Sequence, residues 1–71
     1  MSAGVRTTWQ RTADTRTWRA STGRLLLTVT RLSSGHWAAT VEGRGISERS
    51  GDLGTRVAAQ SWATCRAGDA R

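Results

Sequence analysis

The arginine side chains in the first half of the chain are the residues best suited to bind an anionic partner. Residues 1–31 carry six arginines and one acid, a net charge of +5, whereas residues 32–71 carry five arginines and four acids, a net charge of +1. Guanidinium groups bind phosphates and carboxylates through paired hydrogen bonds. A basic stretch that also carries tryptophan is typical of proteins that grip a sugar-phosphate backbone and stack on an unpaired base. The candidate binding residues are Trp9, Arg11, Arg16, Arg19, Arg24 and Arg31, with the arginines forming a stripe along the first strands.

The same charge fits more than one partner. The chain is +6 at pH 7, and such a surface attracts nucleic acid, an acidic or nucleic-acid-binding host protein, or anionic lipid. We expect a small basic binding protein, first of all a nucleic-acid-binding accessory protein of the phage or mobile-element type. The alternatives are a phage-encoded protein–protein inhibitor of a host enzyme or defence complex, and a structural component that folds fully only in an oligomer. Arginine without lysine also follows from codon bias in a high-GC genome.

Few residues have the chemistry of a catalytic site. His36 and Cys65 are the single histidine and the single cysteine, and the predicted elements separate them. A nucleophile needs a base within reach, and five scattered carboxylates provide no paired acid and base. One imidazole and one thiol are too few ligands for a metal site. The glycines of residues 43–45 lack the third glycine of a dinucleotide-binding loop. We therefore expect no enzymatic activity, no metal and no cofactor.

Length and apolar content predict the size of the core and the compartment of the protein. The 71 residues allow one domain with a thin core, which a homodimer would help to stabilise. The longest aliphatic run is Leu25–Leu27, far below the roughly 20 residues of a membrane span. The first residues lack the apolar centre of a signal peptide, and a single cysteine suits a reducing compartment. The sequence predicts a cytoplasmic protein that does not contact a membrane.

The hydrophobic pattern predicts an α+β fold, in which a small antiparallel sheet packs against one C-terminal helix. Residues 1–16 form a flexible or edge-strand segment, in which Val5, Thr7 and Trp9 share a face. We expect residues 17–67 to form a β-β-β-α domain with three or four strands, and residues 68–71 to form a short tail. Alternation in the two best strands predicts that one face buries the residues Leu25, Leu27, Val29, Trp37, Ala39 and Val41.

Helical spacing predicts a helix over residues 55–67, capped by Thr55 and ended by Gly68. On a helical wheel one contiguous side is the most apolar, and we expect it to face the sheet. That side consists of Val57, Ala58, Ser61, Trp62 and Cys65. Packing of the helix on the sheet is expected to involve Trp37 and Trp62.

Two resemblances add to this interpretation. The segment from Trp18 to Trp62 resembles a set of small bacterial and phage domains, in which a tryptophan-rich meander is followed by a glycine loop and an alanine-rich helix. Residues 52–55, Asp-Leu-Gly-Thr, with the helix after them, are similar to the same region of AP2 and integrase arm-type DNA-binding domains. The second resemblance implies that the sheet enters the major groove. It also implies contacts from strand residues, here Arg19, Arg24, Arg31 and Trp37.

Overall fold

The computed structural model describes residues 8–14 and 16–69. Its strands form one antiparallel sheet in chain order, and each pairs with the next. The elements are β1 (Gln10–Arg11), β2 (Thr17–Thr22), β3 (Leu25–Arg31), β4 (Trp37–Gly43), β5 (Ile46–Arg49) and α1 (Arg56–Asp69). The predicted α+β class is confirmed, with five strands where three or four were expected. Val5 and Thr7, which were predicted to share a face with Trp9, lie outside the described residues.

Strand alternation places the core on one side of the sheet. In β3 the residues Leu25, Leu27 and Val29 are buried, while Leu26 between them is exposed. Direct cross-strand partners share a face, and the register sets Ala20, Leu27 and Val41 in one row. This buried face lies under α1, which contacts β3 and β4. Of the predicted inward residues of β3 and β4, all are buried in the core except Trp37, which is partly buried and packs against it.

The helix packs on the sheet through alanines. Ala59, Ala63 and Ala67, each four residues apart, are buried against the core, because small side chains let the helix backbone come close to the larger residues of the sheet. The predicted inner side of the helix was wrong. Val57 is 63% exposed and Cys65 is also exposed, as are Ala58 and Ser61. Of the predicted inner residues, Trp62 alone packs against the core, and it is only partly buried.

The sequence predicts the start of α1 correctly but not its end. Thr55 caps the helix, since its Oγ1 accepts a hydrogen bond from the amide of Ala58 at 3.1 Å. At the other end the prediction that Gly68 stops the helix was wrong, because α1 continues to Asp69. Among the described residues no helix is long and apolar enough to cross a membrane.

Two turns of the backbone come close together at one end of the sheet. Gly43 has a φ of 129°, a conformation that residues with a side chain rarely adopt. A Cβ added at Gly43 would collide with the carbonyl oxygen of Arg24. The chain therefore needs glycine at this point, where the backbone of the β2–β3 turn meets the start of the β4–β5 turn, which carries Arg44.

Candidate nucleic-acid interface

The sheet face opposite α1 has no element packed on it among the described residues. Because side chains alternate along a strand, the register assigns to this open face the residues that lie between the buried ones. One row crosses all five strands and consists only of polar residues. Its members, in strand order, are Gln10, Arg19, Thr28, Thr40 and Arg49. The row supplies guanidinium, amide and hydroxyl groups, the donor and acceptor types that reach phosphates and base edges.

Two neighbouring rows complete the open face. One consists of Thr17, Thr30 and the buried Ala38. The other is mixed in character. It runs through Ser21, Leu26, Glu42 and Ser47, so the face carries one acid beside its two arginines. Leu26 is 40% exposed. A shallow depression of about 400 Å³ lies at the β1–β3 side of the face, where Arg19 borders Gln10, Ser21 and Leu26.

The arginines predicted as a stripe are distributed over several surfaces. Arg19 lies on the open face, opposite Thr28. Arg24 lies in the turn before β3, and Arg16 and Arg31 lie together at the opposite end of the sheet, where the amide of Arg31 donates to the carbonyl of Arg16 at 2.9 Å. Arg11 pairs with Trp18 and so belongs to the side that α1 covers. The structure therefore brings Arg16 and Arg31 together at one end of the sheet and places Arg24 at the other.

Tryptophan side chains all lie on the helix side of the sheet. Trp9, Trp18, Trp37 and Trp62 are partly buried and pack against the core. Trp9 lines a groove of about 310 Å³ against the outer surface of α1, instead of standing free to stack on a base. Of the four residues that the DNA-binding resemblance pointed to, Trp37 and its strand partner Arg31 belong by register to the helix side. Of these four residues, Arg19 lies on the open face.

Trp18 is held between a strand and the helix by two cations. The guanidinium carbon of Arg56, at the start of α1, lies 4.5 Å from the ring centroid of Trp18. The same carbon of Arg11 lies 5.9 Å from that ring. Cation–π contacts of this length stabilise a partly buried ring. These two arginines therefore have a structural role on the helix side.

Most arginines of the described segments have no acidic partner. Within residues 8–14 and 16–69 the ion pair found joins Arg66 Nε to Glu48 Oε1 at 2.8 Å. The acids that follow the first strands, Glu42 and Asp52, do not neutralise Arg19 or any other of the predicted binding arginines. Unpaired exposed cations keep their positive potential toward solvent, which favours an anionic partner.

Asp14 organises the turn between β1 and β2. Its Oδ1 accepts hydrogen bonds from the Thr12 hydroxyl and from the amides of Arg16 and Thr17. These bonds, first of all that from the Thr12 hydroxyl, hold the pKa of the Asp14 carboxyl below its ordinary value. The carboxylate thus fixes the backbone that carries Arg16.

Sequence reasoning missed the far half of the open face. Arg49, Thr28 and Thr40 were not among the predicted binding residues, although alternation already assigned Thr28 and Thr40 to the outward side of their strands. Arg49 joins them only through the pairing of β5 with β4, which the local pattern does not specify. Comparison with protein-family models, with curated proteins and with solved structures finds no match to this chain.

Proposed function

We propose that this protein binds double-stranded nucleic acid through the open face of its sheet. The observation that carries the proposal is the polar row across that face, with unpaired Arg19 near one side and unpaired Arg49 at the other. No helix or strand of the described segments packs on this face, while the core cluster and all four tryptophans lie on the side of α1. The apolar side chains of the open face are Leu26, which is exposed, and Ala38, which is buried beside Thr30. The net charge of +6 adds a long-range attraction to phosphate.

The spacing of the row matches a duplex groove. Arg19 and Arg49 lie three strands apart, which is about 14 Å at the usual strand separation. The major groove of B-form DNA is about 12 Å wide and admits a two-stranded ribbon. With β3 and β4 against the groove, Thr28 and Thr40 face base edges and the two arginines face the phosphates on either side. Glu42 then faces base edges as well, where a carboxylate accepts from the amino group of cytosine.

The position of the tryptophans favours a duplex over a single strand. Proteins that hold single strands without sequence preference stack bases on exposed aromatic rings. On the open face of the described sheet there is no aromatic side chain, since each tryptophan packs on the helix side. Guanidinium and hydroxyl groups without a stacking platform suit a backbone whose bases stay paired.

Replacing both open-face arginines is the test of this interface. We expect Arg19→Gln with Arg49→Gln to weaken binding of a 20-base-pair duplex about 10- to 100-fold at 0.15 M salt, because two charge-assisted contacts are lost. Fluorescence anisotropy of a labelled duplex gives the dissociation constants, and a single strand of the same length is expected to bind more weakly to the unaltered protein.

The matched control removes the same charge from the other side of the sheet. Arg11→Gln with Arg56→Gln lowers the net charge equally, but these arginines contact Trp18 on the helix side. We expect this control to weaken duplex binding less than about threefold at 0.15 M salt, where charges beyond about 8 Å are largely screened. Equal losses in the two double variants would show that binding depends on total charge and not on the open face.

A further inference from the structure

A second basic feature lies at the end of the sheet where two turns meet. A depression of about 380 Å³ lies between the β1–β2 turn and the β3–β4 turn. We call it the end cleft. Its lining consists of Arg16 from the first turn, Arg31 from the last position of β3, and residues 32–35 of the second turn.

Backbone hydrogen bonds hold the two arginines of the end cleft together. The amide of Arg31 donates to the carbonyl oxygen of Arg16 at 2.9 Å, and Thr17 pairs with Thr30 in the adjoining strands. Neither arginine forms an ion pair within residues 8–14 and 16–69. The acid of the first turn, Asp14, accepts from the backbone amides of Arg16 and Thr17, so its oxygens are directed at the turn. The three groups leave a local charge of +1 with two guanidinium heads at the cleft.

The second turn is held in shape by its own hydrogen bonds. Leu32 donates to the carbonyl of His36 at 2.7 Å, and Gly35 donates to the carbonyl of Leu32 at 2.9 Å. The amide of His36 donates to Ser34 Oγ at 3.3 Å. Ser33 and Ser34 are exposed at the border of the cleft. Ser34 Oγ also lies 3.2 Å from His36 Nδ1, with which it shares a hydrogen bond, so Ser33 is the residue whose hydroxyl can donate to an anion.

We propose that the end cleft is an oxyanion site that takes a single phosphate group. Two guanidinium forks offer paired donors that match phosphate oxygens, and the Ser33 hydroxyl adds one neutral donor. Hydrogen bonds of Arg16, Arg31 and residues 32–36 position the backbone of the cleft without a ligand, which reduces the entropy lost on binding. The inference goes beyond the duplex interface, because the cleft lies at the end of the sheet and Arg31 belongs by register to the helix side.

Titration with inorganic phosphate, followed by ¹H–¹⁵N NMR, tests the site. We expect the largest shifts at the amides of Arg16 and residues 32–35, and at the side-chain Nε–H groups of Arg16 and Arg31. Arg16→Gln or Arg31→Gln is expected to weaken phosphate binding roughly three- to tenfold, as a charged hydrogen-bond donor is lost at an exposed position. The control Arg24→Gln, in the turn at the opposite end of the sheet, is expected to leave the titration unchanged.

Further titrations distinguish this site from the duplex interface and identify the source of the phosphate. The Arg19→Gln, Arg49→Gln variant should titrate with phosphate like the unaltered protein, whatever its affinity for duplex. A 5′-phosphorylated dinucleotide and the same dinucleotide without that phosphate then distinguish a terminal phosphate from a backbone phosphate, and preferential shifts at the end cleft with either one support the site. Shifts that are absent, that fall elsewhere on the protein, or that decline equally in Arg24→Gln would overturn it.

Discussion

The Leu27→Ala variant is expected to lose about 2–5 kcal/mol of stability, because it opens a cavity in the centre of the core. Leu27 is 0% exposed and is among the largest fully buried side chains of the described residues, with Val29 and Val41. Much of the remaining buried core is alanine, and methyl groups on a fixed backbone cannot move far enough to fill the space of a leucine.

The neighbouring leucine is the matched control. Leu26 is 40% exposed and points to the open face, so Leu26→Ala is expected to cost less than about 1 kcal/mol. Urea unfolding followed by circular dichroism measures both variants. For 71 residues a total stability of roughly 4–10 kcal/mol is typical, so Leu27→Ala approaches the limit of folding. Equal losses in Leu26→Ala and Leu27→Ala would contradict the assignment of the two faces of β3.

The Ala63→Leu variant is expected to destabilise the protein by about 1–3 kcal/mol, through overpacking between helix and sheet. Ala63 is 0% exposed, midway between Ala59 and Ala67 on the buried side of α1. A leucine at this position must push α1 away from β3 and β4 or adopt a strained rotamer. The change keeps helix propensity nearly constant, so the loss reports packing.

A leucine placed on the outer side of the same helix provides the comparison. Ala58 is exposed, and Ala58→Leu is expected to change stability by less than about 0.5 kcal/mol. Thermal and urea unfolding measure the loss of stability in each of the two variants. A larger loss for Ala58→Leu than for Ala63→Leu would restore the helix orientation that the apolar wheel predicted, with Val57 and Cys65 toward the sheet.

The strands of this fold are predictable from sequence because their signal is local. In residues 25–29 the structure buries the side that the alternation indicated. In residues 37–41 it buries Ala39 and Val41 as indicated, but it also buries Ala38 on the outward side and leaves Trp37 partly exposed. The helix was located correctly but oriented wrongly. A hydrophobic wheel ranks Val57 and Trp62 above alanine, whereas close approach of a helix to a sheet selects small side chains such as Ala63.

The candidate interface depends on non-local pairing, and this is why sequence reasoning found only part of it. Arg19 was identified from the charge of the first half of the chain. Arg49 lies 30 residues further on and reaches the same row only through the β4–β5 register. The grouping of Arg16 with Arg31 likewise follows from the pairing of β2 with β3. The distribution of charge along the chain therefore favours an anionic partner, but it does not show which arginines share a surface.

The salt dependence of duplex binding tests the open-face interface most directly. Each phosphate contact contributes a slope of about −0.9 to log K against log salt concentration. Between 50 and 200 mM salt, the Arg19→Gln, Arg49→Gln variant should therefore show a slope that is shallower by about 1.8 than that of the unaltered protein, and the Arg11→Gln, Arg56→Gln control should keep the original slope. A slope that stays the same in the first variant, or that changes as much in the control, would contradict the assignment of the duplex to the open face.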